Sequence, residues 1–230
     1  ISAVAGMYRE AAPVFVTRLG IWMIAESTLL LAGYFLGPAK VPDFAILRQI
    51  VTMGMTVATA IPIALAPYAA AAHAAMDPAR VSLIYRKSLR YTMVVTGLWT
   101  VGLLLWTPQV MDLWVGPGHF LGYGVLVPVV ITCFLELHGA AHGFFVWSVG
   151  KWPFAPIAVL AGVLNILLAG LGCSRFGYEG LVWGSLLSQT VSIYWYGVFY
   201  ALKLLGLSAS RYFREIVRPT ALYMVLLMAA

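Results

Sequence analysis

The chain has 230 residues, of which 62% are apolar and only 10% are charged, well below the roughly 25% charged residues that are usual in soluble domains. This composition excludes an ordinary soluble protein and indicates a membrane protein. The net charge of +6 and the pI of about 9.4 do not indicate a nucleic-acid binder, because the sequence predicts no water-facing domain on which the cations would gather.

Six apolar runs follow one another along the chain, each near or above the roughly 20 residues that a helix needs to cross about 30 Å of hydrocarbon. We predict spanning helices at about 13–36, 44–70, 91–107, 123–149, 154–173 and 181–202, and a truncated seventh run at 219–230. A spanning barrel would instead show strands of about ten residues with alternating polarity. The predicted fold is therefore all-α, a polytopic transmembrane helical bundle over residues 1–230.

The lysines and arginines predict the orientation of this bundle, because short loops rich in these residues stay on the cytoplasmic side. If six helices alternate in direction, one side receives ten basic residues and the other receives two. The ten are Arg9, Arg80, Arg86, Lys87, Arg90, Lys151, Lys203, Arg211, Arg214 and Arg218, and the two are Lys40 and Arg175. We predict that the basic side is cytoplasmic.

The segment between the second and third runs, MDPARVSLIYRKSLR, predicts a short helix of its own. Asp77 is placed as the N-cap and Pro78 as the first helical residue. Apolar residues mixed with four basic ones are typical of a helix that lies at the headgroup boundary. We expect this helix to anchor the topology, with specific lipid binding as the alternative.

Two arginines and two glutamates fall inside the predicted spans, where a charge is costly and usually faces a bundle interior or a wet cavity. Arg18 lies in the inner third of the first helix, Glu26 near the midplane, Arg48 about 6 Å below the outer surface and Glu136 at the middle of the fourth helix. Snorkelling to the interfaces is an open alternative for Arg18 and Arg48, whereas Glu26 is too deep for it. The pattern predicts a ladder of cations and carboxylates in a shared hydrated cavity.

The stretch FLELHGAAHGFF adds two histidines to Glu136. His138 and His142 are four residues apart and share a helix face, whereas Glu136 lies about 200° round from His138, so one helix cannot aim all three at one ion. The spacing matches neither the H-E-x-x-H motif nor a paired-cysteine zinc site, and we predict no metal and no cofactor. Two interpretations stay open: hydrogen bonds between closely packed helices, or a cavity wall that binds a proton or a substrate.

Two amides and two thiols are also found among the predicted spans. Asn165 and Gln189, on the fifth and sixth helices, are candidates for interhelical hydrogen bonds or for contacts in the cavity. Cys133 and Cys173 each stand alone, and a lone thiol usually acts as a small apolar side chain. We assign the cysteines no redox role.

Four stretches of the chain resemble the C-terminal half of the polysaccharide flippases, members of the multidrug/oligosaccharidyl-lipid/polysaccharide exporter superfamily with a MATE-like fold. They are LLAGYFLGPAKVPDFAILRQIV, PIALAPYAAAAHAAMDPARVSLIYRKSLR, VMDLWVGPGHFLGYGVLVPVV and SRFGYEGLVWGSLLSQTV. The resemblance covers nearly the whole chain and rests on spacing and helix lengths. It implies two six-helix halves around a central cavity, with the six runs here as helices seven to twelve and the truncated run as a thirteenth.

The resemblance also implies a function. Members of the family move lipid-linked oligosaccharides, such as an undecaprenyl-diphosphate repeat unit, across the bacterial inner (cytoplasmic) membrane by alternating access, for surface polysaccharide biosynthesis. The expected partners are the lipid bilayer, this substrate, a coupling proton or sodium ion, and the N-terminal half of the same chain. That half is expected to be missing, since the sequence shows neither an initiator Met nor a signal peptide at its start. Nucleic acid is not an expected partner.

Roles for individual residues follow from the same resemblance. The cationic cavity of the family implies substrate binding by Arg18 and Arg48, with His138, His142, Asn165 and Gln189 as further candidates, and ion coupling by Glu26 and Glu136. An ion-coupled multidrug exporter of the same superfamily is the alternative and would prefer a site dominated by carboxylates. A membrane-embedded glycosyl- or phosphotransferase would need paired acidic residues or a metal site near an interface, which the sequence does not offer, so we expect no enzyme.

Overall fold

The structure, a computed structural model, describes the backbone of residues 2–229 and the side chains of residues 11–226. Every regular element in this range is helical. The helices are α1 (Ser2–Leu36), α2 (Val41–Ala74), α3 (Pro78–Val115), α4 (Tyr123–Ser148), α5 (Ala155–Thr190), α6 (Ile193–Leu205), α7 (Ala209–Tyr212) and α8 (Arg218–Ala229). A 3₁₀ turn (Pro38–Lys40) precedes α2, and a π-helical turn (Phe213–Val217) joins α7 to α8.

Among the residues that the structure describes, five helical stretches are long and apolar enough to cross a bilayer. They are Ala11–Leu36, Pro38–Ala74, Pro78–Val115, Tyr123–Ser148 and Ala155–Leu205. The prediction of an all-α protein with several membrane-length helices is confirmed at this level. Each of the first six predicted runs coincides with one of these stretches to within one residue or lies inside it, and the last stretch covers two of the runs.

Helix α5 folds back on itself at Gly177. The backbone angles of this residue, φ 62° and ψ −139°, are not helical, and glycine adopts them without the penalty that a Cβ atom brings. Ser188 Oγ donates to Asn165 Oδ1 at 3.0 Å, although 23 residues of straight helix would separate the two by about 35 Å. Residues 155–176 and 178–190 therefore form two antiparallel arms, and the reversal falls between the predicted runs 154–173 and 181–202.

The prediction of a separate surface helix after Asp77 is wrong. Its first residues are as expected: the Asp77 carboxylate accepts from the Arg80 backbone N–H at 2.9 Å, and Pro78 opens the helix. That helix, however, continues to Val115 and is the beginning of α3. The physical reason is that neither glycine nor proline occurs between positions 79 and 96, and a helix that has started continues where nothing interrupts it.

The chain divides into two compact units. The first unit comprises residues 1–45 and 152–196, and the second comprises 46–151 and 197–230. In the first unit, α1 packs along α5, and Gly20 lies so close to the Ala158 carbonyl that a Cβ atom there would overlap it. Small residues of this kind let membrane helices approach closely. In the second unit, α3 packs against α4 and α8.

Candidate functional site

The predicted site residues are distributed over both units. Arg18, Glu26, Asn165 and Gln189 lie in the first unit, and Arg48, Glu136, His138 and His142 lie in the second. Within a unit, the structure joins Asn165 to neighbouring serines and joins His138 to His142. The predicted ladder draws on residues of both units and stays a prediction.

Asn165 binds three segments of the first unit together. Its side-chain amide donates to Ser27 Oγ at 2.9 Å and to the Ile24 carbonyl at 3.4 Å on α1, and its carbonyl oxygen accepts from Ser188 Oγ at 3.0 Å on the second arm of α5. The side chain has no solvent exposure. Both polar atoms of Asn165 are therefore engaged within the protein, which is the geometry of the interhelical alternative.

Gln189 makes similar local bonds. Its amide nitrogen donates to Ser185 Oγ at 3.2 Å, and its carbonyl oxygen accepts from the Tyr194 hydroxyl at 3.1 Å. The residue is buried. As with Asn165, the contacts serve packing inside the first unit.

The two predicted site residues of α1 differ in exposure. Arg18 is exposed, whereas Glu26, eight residues or about 12 Å further along the helix, is half-buried. Exposure of Arg18 is compatible with the snorkelling alternative. Glu26 therefore stays the deeper ionisable candidate on this helix.

Arg48, on α2, is half-buried. Its guanidinium atom Nη1 is fully buried and finds no hydrogen-bond partner among the described residues. An unpaired donor on a buried charge costs about 1 to 3 kcal/mol or more. An anionic group that reached Nη1 would remove this cost, so Arg48 is the predicted site residue with the clearest free binding capacity.

The histidines of α4 form one hydrogen-bonded chain with two tyrosines, which we call the His–Tyr cluster: Tyr85, His138, His142 and Tyr212. The Tyr85 hydroxyl lies 2.8 Å from His142 Nδ1, and His142 Nε2 lies 3.2 Å from the Tyr212 hydroxyl. The Tyr212 hydroxyl also bonds His138 Nε2, and the two Nε2 atoms are 3.3 Å apart. The expectation that His138 and His142 share a face of α4 is confirmed.

The cluster connects three elements of the second unit. Tyr85 lies on α3, the histidines on α4, and Tyr212 at the end of α7. The ring of Phe145 packs on Tyr85 with centroids 4.8 Å apart, and that of Phe134 stacks on His138 at 6.5 Å. His142 has no solvent exposure, whereas His138 is half-buried. The cluster therefore has one enclosed end and one end nearer the surface.

The protons of the cluster can be assigned from its bonds. If the Tyr85 hydroxyl donates to His142 Nδ1, then His142 carries its proton on Nε2 and donates to the Tyr212 oxygen, and the Tyr212 hydroxyl donates to His138 Nε2. Burial raises the pKa of Tyr212, which keeps this phenol protonated and able to donate. Every bond in the chain is then satisfied with both imidazoles neutral.

Sequence reasoning missed both tyrosines. Tyr85 carries a weak signal, since buried residues Val81, Tyr85, Leu89 and Thr92 follow a helical spacing that marks the inner face of α3. Tyr212 belongs to a four-residue helix, too short for a periodic pattern. Its pairing with residues 70 and 74 positions earlier in the chain is not visible from local sequence.

An ion-pair network lies in the same unit. Glu215, in the π-helical turn, accepts from Arg211 Nε at 2.7 Å and from Arg86 Nη1 of α3 at 3.3 Å. These hydrogen bonds, from Arg211 first and then from Arg86, hold the pKa of the Glu215 carboxyl below its ordinary value. The carboxylate is exposed, so the network orders a surface segment and adds little stability.

An apolar groove runs between α2 and α3. Its cavity of about 440 Å³ is lined by Met53, Val57, Leu98, Trp106 and neighbouring residues. None of the predicted site residues lines it. Val57 lies about 180° round α2 from Arg48, so the groove and the Arg48 guanidinium belong to different faces of that helix.

Within the described part of the chain, no three His, Cys, Asp or Glu side chains converge on a point where a metal ion would bind. The two cysteines are both free and buried.

Comparisons of the chain with protein-family models, with curated proteins and with solved structures find no match.

Proposed function

We propose that this protein is a multi-pass membrane transporter that moves an anionic, lipid-linked oligosaccharide across the bacterial cytoplasmic membrane. The observation that carries the proposal is the buried, unpartnered Nη1 of Arg48 on a membrane-length helix. The diphosphate of an undecaprenyl-linked repeat unit is the kind of group that an arginine fork binds well. An amphiphile with such a head cannot cross hydrocarbon unaided.

The helix arrangement supports the same proposal. If each of the helices α1 to α4 and each of the two arms of α5 crosses the membrane, the second arm being continued by α6, the chain has six crossings, and α8 would begin a seventh. This count is that of the flippase half to which the sequence is similar. If the crossings alternate in direction, the basic residues of α3 and α7 lie on one side, as the predicted orientation requires.

The division into two compact units is a further support. Alternating access needs parts of a transporter that keep their own packing while they move, and each unit here has buried apolar residues of its own. The chain passes from one unit to the other at three points: inside α2 after Ala45, between α4 and α5 after Lys151, and inside α6 after Tyr196. We expect any hinge to lie near these three points.

An ion-coupled exporter of small cations is the second candidate, and Glu26 is the observation that favours it. This carboxylate is half-buried, and its predicted position near the midplane is where a coupling ion or a cationic substrate would bind. In the flippase, Glu26→Gln changes the dependence of transport on the ion gradient but not the substrate class. In the exporter, the same change abolishes transport of cationic dyes.

The proposed function is tested by replacing Arg48 in a bacterium whose surface polysaccharide depends on the protein. We expect Arg48→Ala to reduce display by about tenfold or more, the equivalent of one lost charged hydrogen bond of roughly 1.5 kcal/mol, at an unchanged amount of protein in the membrane. Arg48→Lys keeps the charge but loses the fork, and we expect partial display. Arg175→Ala, an exposed arginine of α5, is the matched control. Normal display by Arg48→Ala would exclude Arg48 from substrate binding.

A further inference from the structure

We propose that the His–Tyr cluster is a proton-binding site, and that uptake of one proton releases the α7 segment from α4. The proposal concerns residues that the transport proposal leaves unused, and it holds for either candidate function. It is carried by the unbroken chain of hydrogen bonds from Tyr85 through His142 and Tyr212 to His138. Each of these four groups can both donate and accept a hydrogen bond.

The neutral chain has no vacant acceptor for an added proton. Tyr85 donates to His142, His142 to Tyr212, and Tyr212 to His138. The exposed fraction decides where a proton arrives, since His138 is half-buried and His142 has no exposure. We therefore place proton entry at His138 Nε2.

Protonation of His138 Nε2 turns an acceptor into a donor. If the Tyr212 oxygen then accepts from both histidines, its own hydroxyl proton loses its acceptor. If instead the chain reverses, with Tyr212 donating to His142 Nε2 and His142 Nδ1–H donating to Tyr85, the Tyr85 hydroxyl loses its acceptor. In the first arrangement the unsatisfied hydroxyl is that of Tyr212, and this weakens the contact between α4 and α7. In the second it is that of Tyr85, and this weakens the contact between α3 and α4. Release of the α7 segment therefore follows from the first arrangement.

The site holds one proton and no more. The two Nε2 atoms are 3.3 Å apart, and two like charges at this distance in an apolar site are not ionised together. The apolar rings of Phe134 and Phe145 border the cluster. A second proton would therefore separate the histidines rather than fill the site.

Six charged residues lie within three positions of a cluster residue along the chain: Arg86 and Lys87 on α3, Glu136 on α4, Arg211 on α7, and Arg214 and Glu215 in the π-helical turn. Glu136 is about 200° round α4 from His138 and therefore belongs to another face of that helix. Arg86 and Arg211 both bond Glu215, so this carboxylate is already paired with two guanidinium groups. Because hydrogen bonds hold the pKa of Glu215 below its ordinary value of 4.5, Glu215 stays ionised under mildly acidic conditions that protonate a histidine.

Hydrogen exchange of the backbone amides of residues 209–217, with the protein in lipid nanodiscs, tests the proposal. The comparison is between about pH 7.5 and about pH 5.5, with exchange times corrected for the intrinsic chemical rate. We expect corrected exchange of this segment to rise by about tenfold or more on acidification in the unmodified protein. Helix α1, in the other unit, serves as the internal reference.

Three variants separate the contribution of His138 to the acid response from the contributions of neighbouring residues. His138→Gln still bonds Tyr212 but cannot take up a proton, and we expect its exchange to be slow at both pH values. Tyr212→Phe removes the bridging hydroxyl, and we expect fast exchange at both. Glu215→Gln, the matched control for the ion pair, should retain the acid response.

Three results would overturn the proposal. One is an unmodified protein whose segment exchanges equally at both pH values. Another is a His138→Gln variant with an undiminished acid response. The third is slowing of exchange by Zn²⁺ at neutral pH, reversed by a chelator, with no response to acid, because that result would assign the histidines to a metal ion.

Discussion

At the scale of single residues, Glu215 shows how a surface carboxylate orders the segment that leads to α8. It accepts hydrogen bonds from Arg211 in the preceding turn and from Arg86 on α3. The lowered pKa of Glu215 gives the sign of its pH dependence. A depressed folded-state pKa stabilises the fold above the ordinary pKa of 4.5, and the contribution is lost as the pH falls through the lower, folded value.

We therefore predict that Glu215→Gln lowers the midpoint of thermal unfolding slightly at neutral pH. The effect is small because exposed ion pairs contribute little. The difference from the unmodified protein should shrink below about pH 4, where the natural carboxylate is itself protonated. Glu179→Gln removes an exposed carboxylate on α5. Its unfolding midpoint should not show a difference from the unmodified protein that shrinks at low pH. If the difference in unfolding midpoint between Glu215→Gln and the unmodified protein stays constant down to about pH 3, the stabilising ion pair of Glu215 is contradicted.

Single residues were predictable from the sequence where their partners are close in the chain. The capping of α3 by Asp77 and the shared face of His138 and His142 depend only on neighbours within one helical turn. Tyr85 and Tyr212 were missed because they reach His142 across 57 and 70 residues. Such long-range pairs depend on how helices pack, which the local pattern does not determine.

At the scale of helices, the two arms of α5 pack through glycine. A Cβ atom on Gly180 would overlap the Gly172 carbonyl, and one on Gly184 would overlap the Leu168 carbonyl. Backbone atoms cannot move aside as a flexible side chain does. The close approach of the arms therefore depends on these glycines.

We predict that Gly180→Ala destabilises the protein by about 1 to 3 kcal/mol, the range for overpacking a tight contact. Gly143→Ala is the matched control, since Gly143 is also buried in a helix but a Cβ atom there meets nothing within 4 Å. Alanine favours helix over glycine, so Gly143→Ala should be neutral or slightly stabilising. Unfolding midpoints of the two variants in detergent measure the difference. Equal midpoints would mean that the arms are not closely packed.

The start and end of helices were predictable to the extent that breaking residues mark them. Gly177 separates two predicted runs, and the chain reverses there. No glycine or proline occurs between positions 79 and 96, and the predicted boundary between a surface helix and a spanning run does not exist, because α3 is continuous. Hydropathy alone placed that boundary, and a helix does not end where its surroundings change from headgroups to hydrocarbon.

At the scale of the whole molecule, composition alone indicated the membrane class, since a chain with 10% charged residues cannot cover a water-facing surface in the usual way. The two-unit division was not predicted, because each unit joins segments from distant parts of the chain. Which residues together form the functional site is harder still to predict from the sequence. Whether Arg18, Glu26, Arg48 and Glu136 act together depends on long-range packing that periodicity does not encode.

The orientation gives a prediction for the whole molecule. With Cys133 and Cys173 replaced by alanine, single cysteines at Ser174 and Ser210, both exposed, should lie on opposite sides of the membrane. A membrane-impermeant maleimide should label Ser174→Cys in intact cells and Ser210→Cys only after permeabilisation. Labelling of both positions in intact cells would contradict the predicted orientation.

The central claim, that the protein transports an anionic lipid-linked sugar, is tested most directly by reconstitution into liposomes. A fluorescent polyprenyl-diphosphate sugar in both leaflets is quenched from outside by dithionite, and the signal from the inner leaflet falls only as lipid is flipped. We predict faster decay with the unmodified protein than with Arg48→Ala, and no acceleration for a zwitterionic phospholipid with the same label. Decay no faster than in protein-free liposomes would contradict the account.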